Sequence, residues 1–189
     1  MVIIVCGRRG SLGKIDWLRC VCCVSSKMPC SKIIEVIQPE FRTEFCSLIE
    51  RCADISKAVG KGYDEKVYCH CLCIELQSQG IRHNYGTPRF VKYKEQIVGS
   101  DTGEDMVEYE CLPFIVMVKA IDGEVDENDV WRLVRRMEQH GKAYGVVVQF
   151  TQGAGVPLGI SVITHCISTY TLYDGVTGEA KTLRDYKEE

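Results

Sequence analysis

Phe114-Ile115-Val116-Met117-Val118-Lys119-Ala120 is the stretch on which the fold turns. Residues 114–118 are apolar without interruption, and a lysine follows. A half-exposed strand alternates apolar and polar residues, whereas an unbroken apolar run marks a strand covered on both faces. Downstream, Val130, Leu133, Val134 and Met137 recur at helical spacing within Asp126 to His140, and Gly141 stops the pattern. Tyr144 to Phe150 is again apolar. Two such strands joined through a helix favour parallel pairing, because the crossover returns the chain to the same end of the sheet.

Upstream, Phe90, Val91 and Tyr93 lead through a polar turn at Lys94-Glu95 to Ile97 and Val98. Met106 to Cys111 forms a further strand. Short turns between these runs predict an antiparallel meander. Two helices precede it. Phe45, Leu48, Ile49, Cys52, Ile55 and Val59 make one apolar stripe over Thr43 to Val59. Asp64 is a good N-cap for a second helix ending near Gly80. Leu158 to Thr164 predicts one more strand, with a hairpin through Tyr173. The sum is an α/β fold with a mixed β-sheet flanked by helices. Residues 1–40 read as an N-terminal extension, 41–175 as the folded domain, and 176–189 as a charged C-terminal tail, frayed from about Glu179.

The 189 residues carry a formal net charge of −3, which argues against a generally basic, nucleic-acid-coating protein. A local basic groove is compatible with that value. The chain has no apolar run near the ~20 residues that cross a bilayer. Residues 1–6 are too short for a signal-peptide core. The expectation is an intracellular protein, cytoplasmic or nuclear, with its 12 cysteines reduced. Cys69, His70, Cys71 and Cys73 invite a zinc reading, but no second Cys/His pair follows at finger-like spacing, and core packing is preferred. The cluster Cys20, Cys22 and Cys23 fits no common zinc pattern. Gly7 to Lys14 fails as a P-loop, because Ile15 stands where a Ser or Thr would hold Mg²⁺. His165 and Cys166 are strand neighbours and point apart.

The order of elements and three motifs resemble one family. Gly62-Tyr63-Asp64-Glu65-Lys66-Val67-Tyr68 matches G-x-x-E-x-x-Y. Asp105 follows a hairpin at 90–99, and the 114–120 strand resembles V-I-V-E-I-K-A. Together they are similar to the GxxExxY branch of the PD-(D/E)xK nuclease superfamily, over roughly residues 44–152. The resemblance implies a restriction-endonuclease-like core. It also implies Mg²⁺-dependent phosphodiester hydrolysis, with Asp105, Lys119 and Glu65 as catalytic residues and Asp105 and Glu65 as metal ligands.

Two departures bear on that chemistry. The signature wants Glu, one residue, then Lys, and Met117 occupies the Glu position. A Gln expected in the third helix falls near Trp131 or Arg132. Residues 117 and 119 share a strand face, so an intact site would place metal ligand and lysine side by side. A thioether is soft and a poor partner for Mg²⁺, which leaves metal binding weakened. Glu65, Glu104 or Glu108 could take over the lost role, and Glu65 is the best placed.

Three readings follow. The first is a nuclease-fold pseudoenzyme that binds nucleic acid, or another protein, without cutting it. Arg132, Arg135 and Arg136 on the third helix would then contact phosphates. The second is an active metal-dependent nuclease with a relocated carboxylate. The third is a structural subunit of a larger, viral assembly. Each cationic and acidic group also has a plainer reading as a solvated surface charge.

Overall fold

The computed structural model describes residues 30–154, 158–166, 169–175, 177 and 179–183. The cysteine cluster at 20–23, the glycine-rich stretch at 7–14 and residues 184–189 lie outside the described residues. A short helix α1 (Cys30–Val36) and a single 3-10 turn (Pro39–Phe41) lead into α2 (Arg42–Val59) and α3 (Glu65–Ser78). Next come strands β1 (His83–Tyr85), β2 (Arg89–Tyr93), β3 (Gln96–Asp101), β4 (Met106–Tyr109) and β5 (Phe114–Lys119). Helix α4 (Glu127–His140) crosses to β6 (Tyr144–Phe150), and β7 (Leu158–Cys166), β8 (Thr169–Asp174) and β9 (Ala180–Leu183) complete the order.

Seven strands form one sheet in the order β1-β4-β5-β6-β7-β8-β9. The unbroken apolar run of β5 is buried at all six positions. It pairs antiparallel with β4 and parallel with β6, from Phe114 opposite Tyr144 to Lys119 opposite Gln149. This is the mixed, helix-flanked α/β architecture expected from the pattern.

Alternation along β5 builds two cores. Phe114, Val116 and Val118 face α2 and α3, packing with Phe45, Leu48, Tyr68 and Leu72. Ile115 and Met117 face α4, packing with Val130, Leu133, Val134 and Met137. Each such buried side chain contributes about 1.5–3 kcal/mol relative to exposure. Asp64 caps α3 by accepting from the Val67 amide, and Asp126 caps α4 by accepting from the Asn128 amide.

Two expectations are corrected, and a point left open is filled in. The 90–98 hairpin does not join a meander with the main sheet; β2 and β3 form a separate two-stranded sheet, and β1 takes the place beside β4. The reason is its side-chain pattern. Apolar and charged residues occur on both faces of the hairpin, so neither face can be laid on a core. The tail was expected to fray from about Glu179, yet β9 pairs with β8 and buries Leu183 against the α4-side core. Within the 1–40 stretch, α1 is ordered onto the domain, with Ile33 and Ile37 buried in the α2/α3-side core. Among the described residues, no helix is long and apolar enough to cross a membrane.

Candidate functional site

The end of β5 brings together two of the three sequence-derived catalytic residues, Lys119 and Asp105. Lys119 continues the Ile115/Met117 series toward α4. Its Nζ lies 3.2 Å from Asp105 Oδ2 and 2.7 Å from Asp129 Oδ2. Asp105 stands at the start of β4, next to β5 in the sheet. Asp129 comes from the first turn of α4.

Arg132, one turn further along α4, closes the group. Its Nη1 donates to Asp105 Oδ2 (3.1 Å) and to Asp129 Oδ1 (2.9 Å). Its Nη2 donates to Asp105 Oδ1 (3.0 Å) and to Asp101 Oδ1 (2.9 Å). Arg136, a turn beyond, donates from Nη1 to the Thr87 carbonyl (2.5 Å) and faces Asp101 Oδ2 from Nη2 (3.4 Å). Three aspartates thus meet three cations, and the cluster is neutral as a unit. Lys119 and Arg136 are buried.

The protonation behaviour follows from this pairing. Burial disfavours a charged Asp101, but the Arg132 guanidinium, the Gly103 amide and Arg136 outweigh it and hold the carboxyl below its usual range. Burial likewise opposes a charged Lys119, and Asp129 and Asp105 reverse that, raising its ammonium above the usual range. Arg132 is raised in the same way, with Asp105 and Asp101 overcoming burial. All three shifts favour the charged forms.

Glu65 arrives from the other face of the sheet. Its Oε1 accepts from the Ala120 amide at 3.3 Å, one residue past Lys119. Among the described residues, it makes no hydrogen bond or ion pair with Asp105 or Lys119. The rest of its motif also serves to fix α3. Gly62, at φ +94°, presents its amide to Gln152 Oε1 at 2.6 Å. Tyr68 stacks on Phe150, ring centroids 4.2 Å apart, and its hydroxyl donates to the Gly60 carbonyl at 2.8 Å. The motif therefore staples the start of α3 to the ends of β5 and β6.

Glu104 and Glu108, the other carboxylates considered as replacements, are engaged elsewhere. Glu104 pairs with exposed Lys66 at 2.6 Å. Glu108 pairs with His140 at 3.0 Å and Lys142 at 3.4 Å. Of the three α4 arginines, Arg136 is buried, Arg132 is partly buried, and Arg135 is exposed. Arg132 and Arg136 spend their guanidinium groups on aspartates and a backbone carbonyl of the same chain.

The donor set does not fit Mg²⁺. That ion demands near-octahedral oxygen coordination, usually from one or two carboxylates plus waters and substrate phosphate. Both oxygens of Asp105 already accept from Arg132, and Oδ2 also faces Lys119. A dication there would sit against two positive groups. Met117 offers sulfur and is fully buried among apolar side chains. Among the described residues, no group of three or more His, Cys, Asp or Glu side chains is arranged to hold a metal. The three aspartates converge on a guanidinium and an ammonium, not on a common empty point. The α3 cysteines also lie in surroundings that disfavour a metal-binding thiolate. Burial pushes the Cys69 thiol up and the Cys73 thiol up to about 11, away from the thiolate that zinc requires.

Sequence reasoning missed Asp101 and Asp129. Asp129 left a usable signal, being three residues before Arg132 on one helix, where opposite charges are neighbours. Asp101 left none, since its partners lie 31 and 35 residues away. A family model described as the PD-(D/E)XK nuclease superfamily matches residues 43–157. No curated protein and no solved structure gives a significant match.

Proposed function

The chain belongs to the PD-(D/E)XK nuclease superfamily, and from that premise we propose that it is a non-cleaving member that binds nucleic acid. Within the superfamily, the Gly62-to-Tyr68 heptapeptide supports placement in the GxxExxY branch. The observation that carries the reading is Arg132 lying bidentate on Asp105. In a nuclease of this superfamily, a divalent cation would neutralise the aspartate. Here a side chain of the protein does so, on the helix where the resemblance expects a Gln near Trp131 or Arg132.

On this reading Asp105, Lys119, Asp129 and Arg132 hold the sheet end to α4 instead of activating water. Met117 suits the same role, because it fills the core beneath the pair where a second carboxylate would have needed a cation. Hydrolysis that depends on a metal-bound water loses both of its ligand positions at once. Glu65, bonded to the Ala120 amide, supports the strand end from the other face.

The test pairs wild type with the double substitution M117E/R132Q, which puts a carboxylate at the signature's Glu position and replaces the guanidinium on Asp105 with an amide. Wild type is expected to show no Mg²⁺- or Mn²⁺-dependent cleavage of single- or double-stranded DNA or RNA, and the double variant to gain it. Wild-type cleavage that Lys119→Ala abolishes would overturn the proposal. One observation favours the alternative of an active enzyme with a relocated carboxylate: Asp129 brings a carboxylate within 2.7 Å of Lys119. That enzyme would lose its cleavage on Asp129→Asn.

A further inference from the structure

We infer that the β2–β3 hairpin is an arm that grips unpaired nucleic-acid strands through its rings and cations; the inference rests on the proposed nucleic-acid-binding role and gives it a location. Residues 90–100 are all exposed, and neither strand pairs with the main sheet. Yet this arm carries large apolar side chains, with Phe90 at 56% and Tyr93 at 65% exposure. Val91, Ile97 and Val98 are exposed beside them, and large apolar side chains grouped on one exposed element mark an interaction surface.

The distribution of charge selects the ligand. Residues 89–94 read Arg-Phe-Val-Lys-Tyr-Lys, three cations and two rings, in a chain whose formal net charge is −3. Strand alternation puts Phe90 and Lys92 on one face, and Arg89 and Tyr93 on the other. Each face therefore offers one ring and at least one cation. A protein partner, or a second copy of this chain, would bury a single apolar face and would have to desolvate the cations. A second copy would also set like charges against each other. An unpaired nucleic-acid strand offers what both faces lack: bases with stacking surfaces and phosphates with negative charge.

The turn adds an independent observation. Lys94 and Glu95 have φ of 46° and 63°, the only non-glycine residues with positive φ among those described. A two-residue hairpin turn of this hand prefers Asn-Gly, and larger side chains strain it. The turn places the Lys94 ammonium 5.3 Å from the centre of the Tyr93 ring, so cation and ring stand together at the tip.

The experiment measures binding of the full chain to a fluorescent single-stranded oligonucleotide of mixed sequence, and to its duplex, by anisotropy across a salt series in EDTA. F90L/Y93L removes the rings but keeps apolar bulk; K92Q/K94Q removes two cations. Wild type should prefer the single strand. F90L/Y93L should bind about tenfold more weakly or worse, with an unchanged salt slope. K92Q/K94Q should reduce that slope by about 1.4, at ~0.7 per phosphate contact on a single strand. Circular dichroism should show both variants folded, since these side chains touch no core. Wild-type binding that neither variant weakens would overturn the arm while leaving the nucleic-acid role standing. No binding by wild type would overturn both. Self-association of wild type that F90L/Y93L abolishes would assign the arm to a second copy instead.

Discussion

The end of β5 and the β2–β3 hairpin are both rich in charge, and they use it in opposite ways. At the end of β5, Asp101, Asp105 and Asp129 neutralise Lys119, Arg132 and Arg136 within hydrogen-bonding range. On the hairpin, Lys92 and Lys94 stand in solvent beside exposed rings. A set of residues that carries the chemistry of a nuclease in composition can thus be wholly consumed by its own members. A stretch with no catalytic pattern can be the part left open to a ligand. Residue type alone does not separate the two; partner count does.

The contrast can be broken from the closed side first. Arg132→Ala leaves three aspartates facing Lys119 and Arg136, and stability should fall by about 3 kcal/mol in urea unfolding, near the lower end for breaking a buried pair because Arg132 is partly solvated. Mg²⁺ should then raise the unfolding midpoint of the variant and leave wild type unmoved, since only the variant exposes Asp105 to a cation.

Gly103→Ala attacks the boundary between the regions. Gly103 has φ +64°, and an added Cβ would lie 2.7 Å from Arg136 Nη2 and 3.0 Å from the Thr87 carbonyl. A loss of about 2 kcal/mol is expected from the left-handed backbone and the crowding together, read as a lower thermal midpoint. Tyr68→Phe removes the hydroxyl that donates to Gly60 and accepts from Gln152 Nε2 and should cost about 1 kcal/mol, by the same measurement.

A pH series sharpens the comparison. The folded Asp101 carboxyl titrates below its unfolded value, so its contribution is present above the ordinary carboxylate range and is lost as pH falls through the lowered value. Folded Lys119 titrates above its unfolded value, so its contribution is present below the ordinary lysine range and is lost as pH rises through the raised value. Stability should therefore hold a plateau between those limits, and Asp101→Asn should flatten the acid side of the curve. The smallest effect belongs to the open side: F90L/Y93L should change stability by no more than about 0.5 kcal/mol, as for surface positions generally, in the same urea titration.

The apolar run of β5 and the periodicity of α4 made both elements and their parallel crossover legible, because alternation and helical spacing are local properties. They also predicted that Lys119 and residue 117 share a face, and the 3.2 Å approach of Lys119 to Asp105 fits that geometry. The compensation by Arg132 was not legible. Its partner Asp105 lies 27 residues earlier in a turn that reads as solvated, and no short-range pattern encodes a pairing across two elements. The hairpin strands were legible as strands, but not their detachment from the main sheet. That depends on β1, three residues long, winning the place beside β4. Short edge strands leave almost no periodicity to read.

Arg136 holds Thr87 with one nitrogen and Asp101 with another, and these residues are the two feet of the hairpin. The arm is in effect a cantilever pinned at its root by two guanidinium groups, since Arg132 also donates to Asp101. Five strand residues span about 17 Å, so a tilt of ~10° at the pin carries the tip roughly 3 Å. A small adjustment among the paired charges at the root would thereby be geared up into a displacement at the tip large enough to change which atoms the rings can reach.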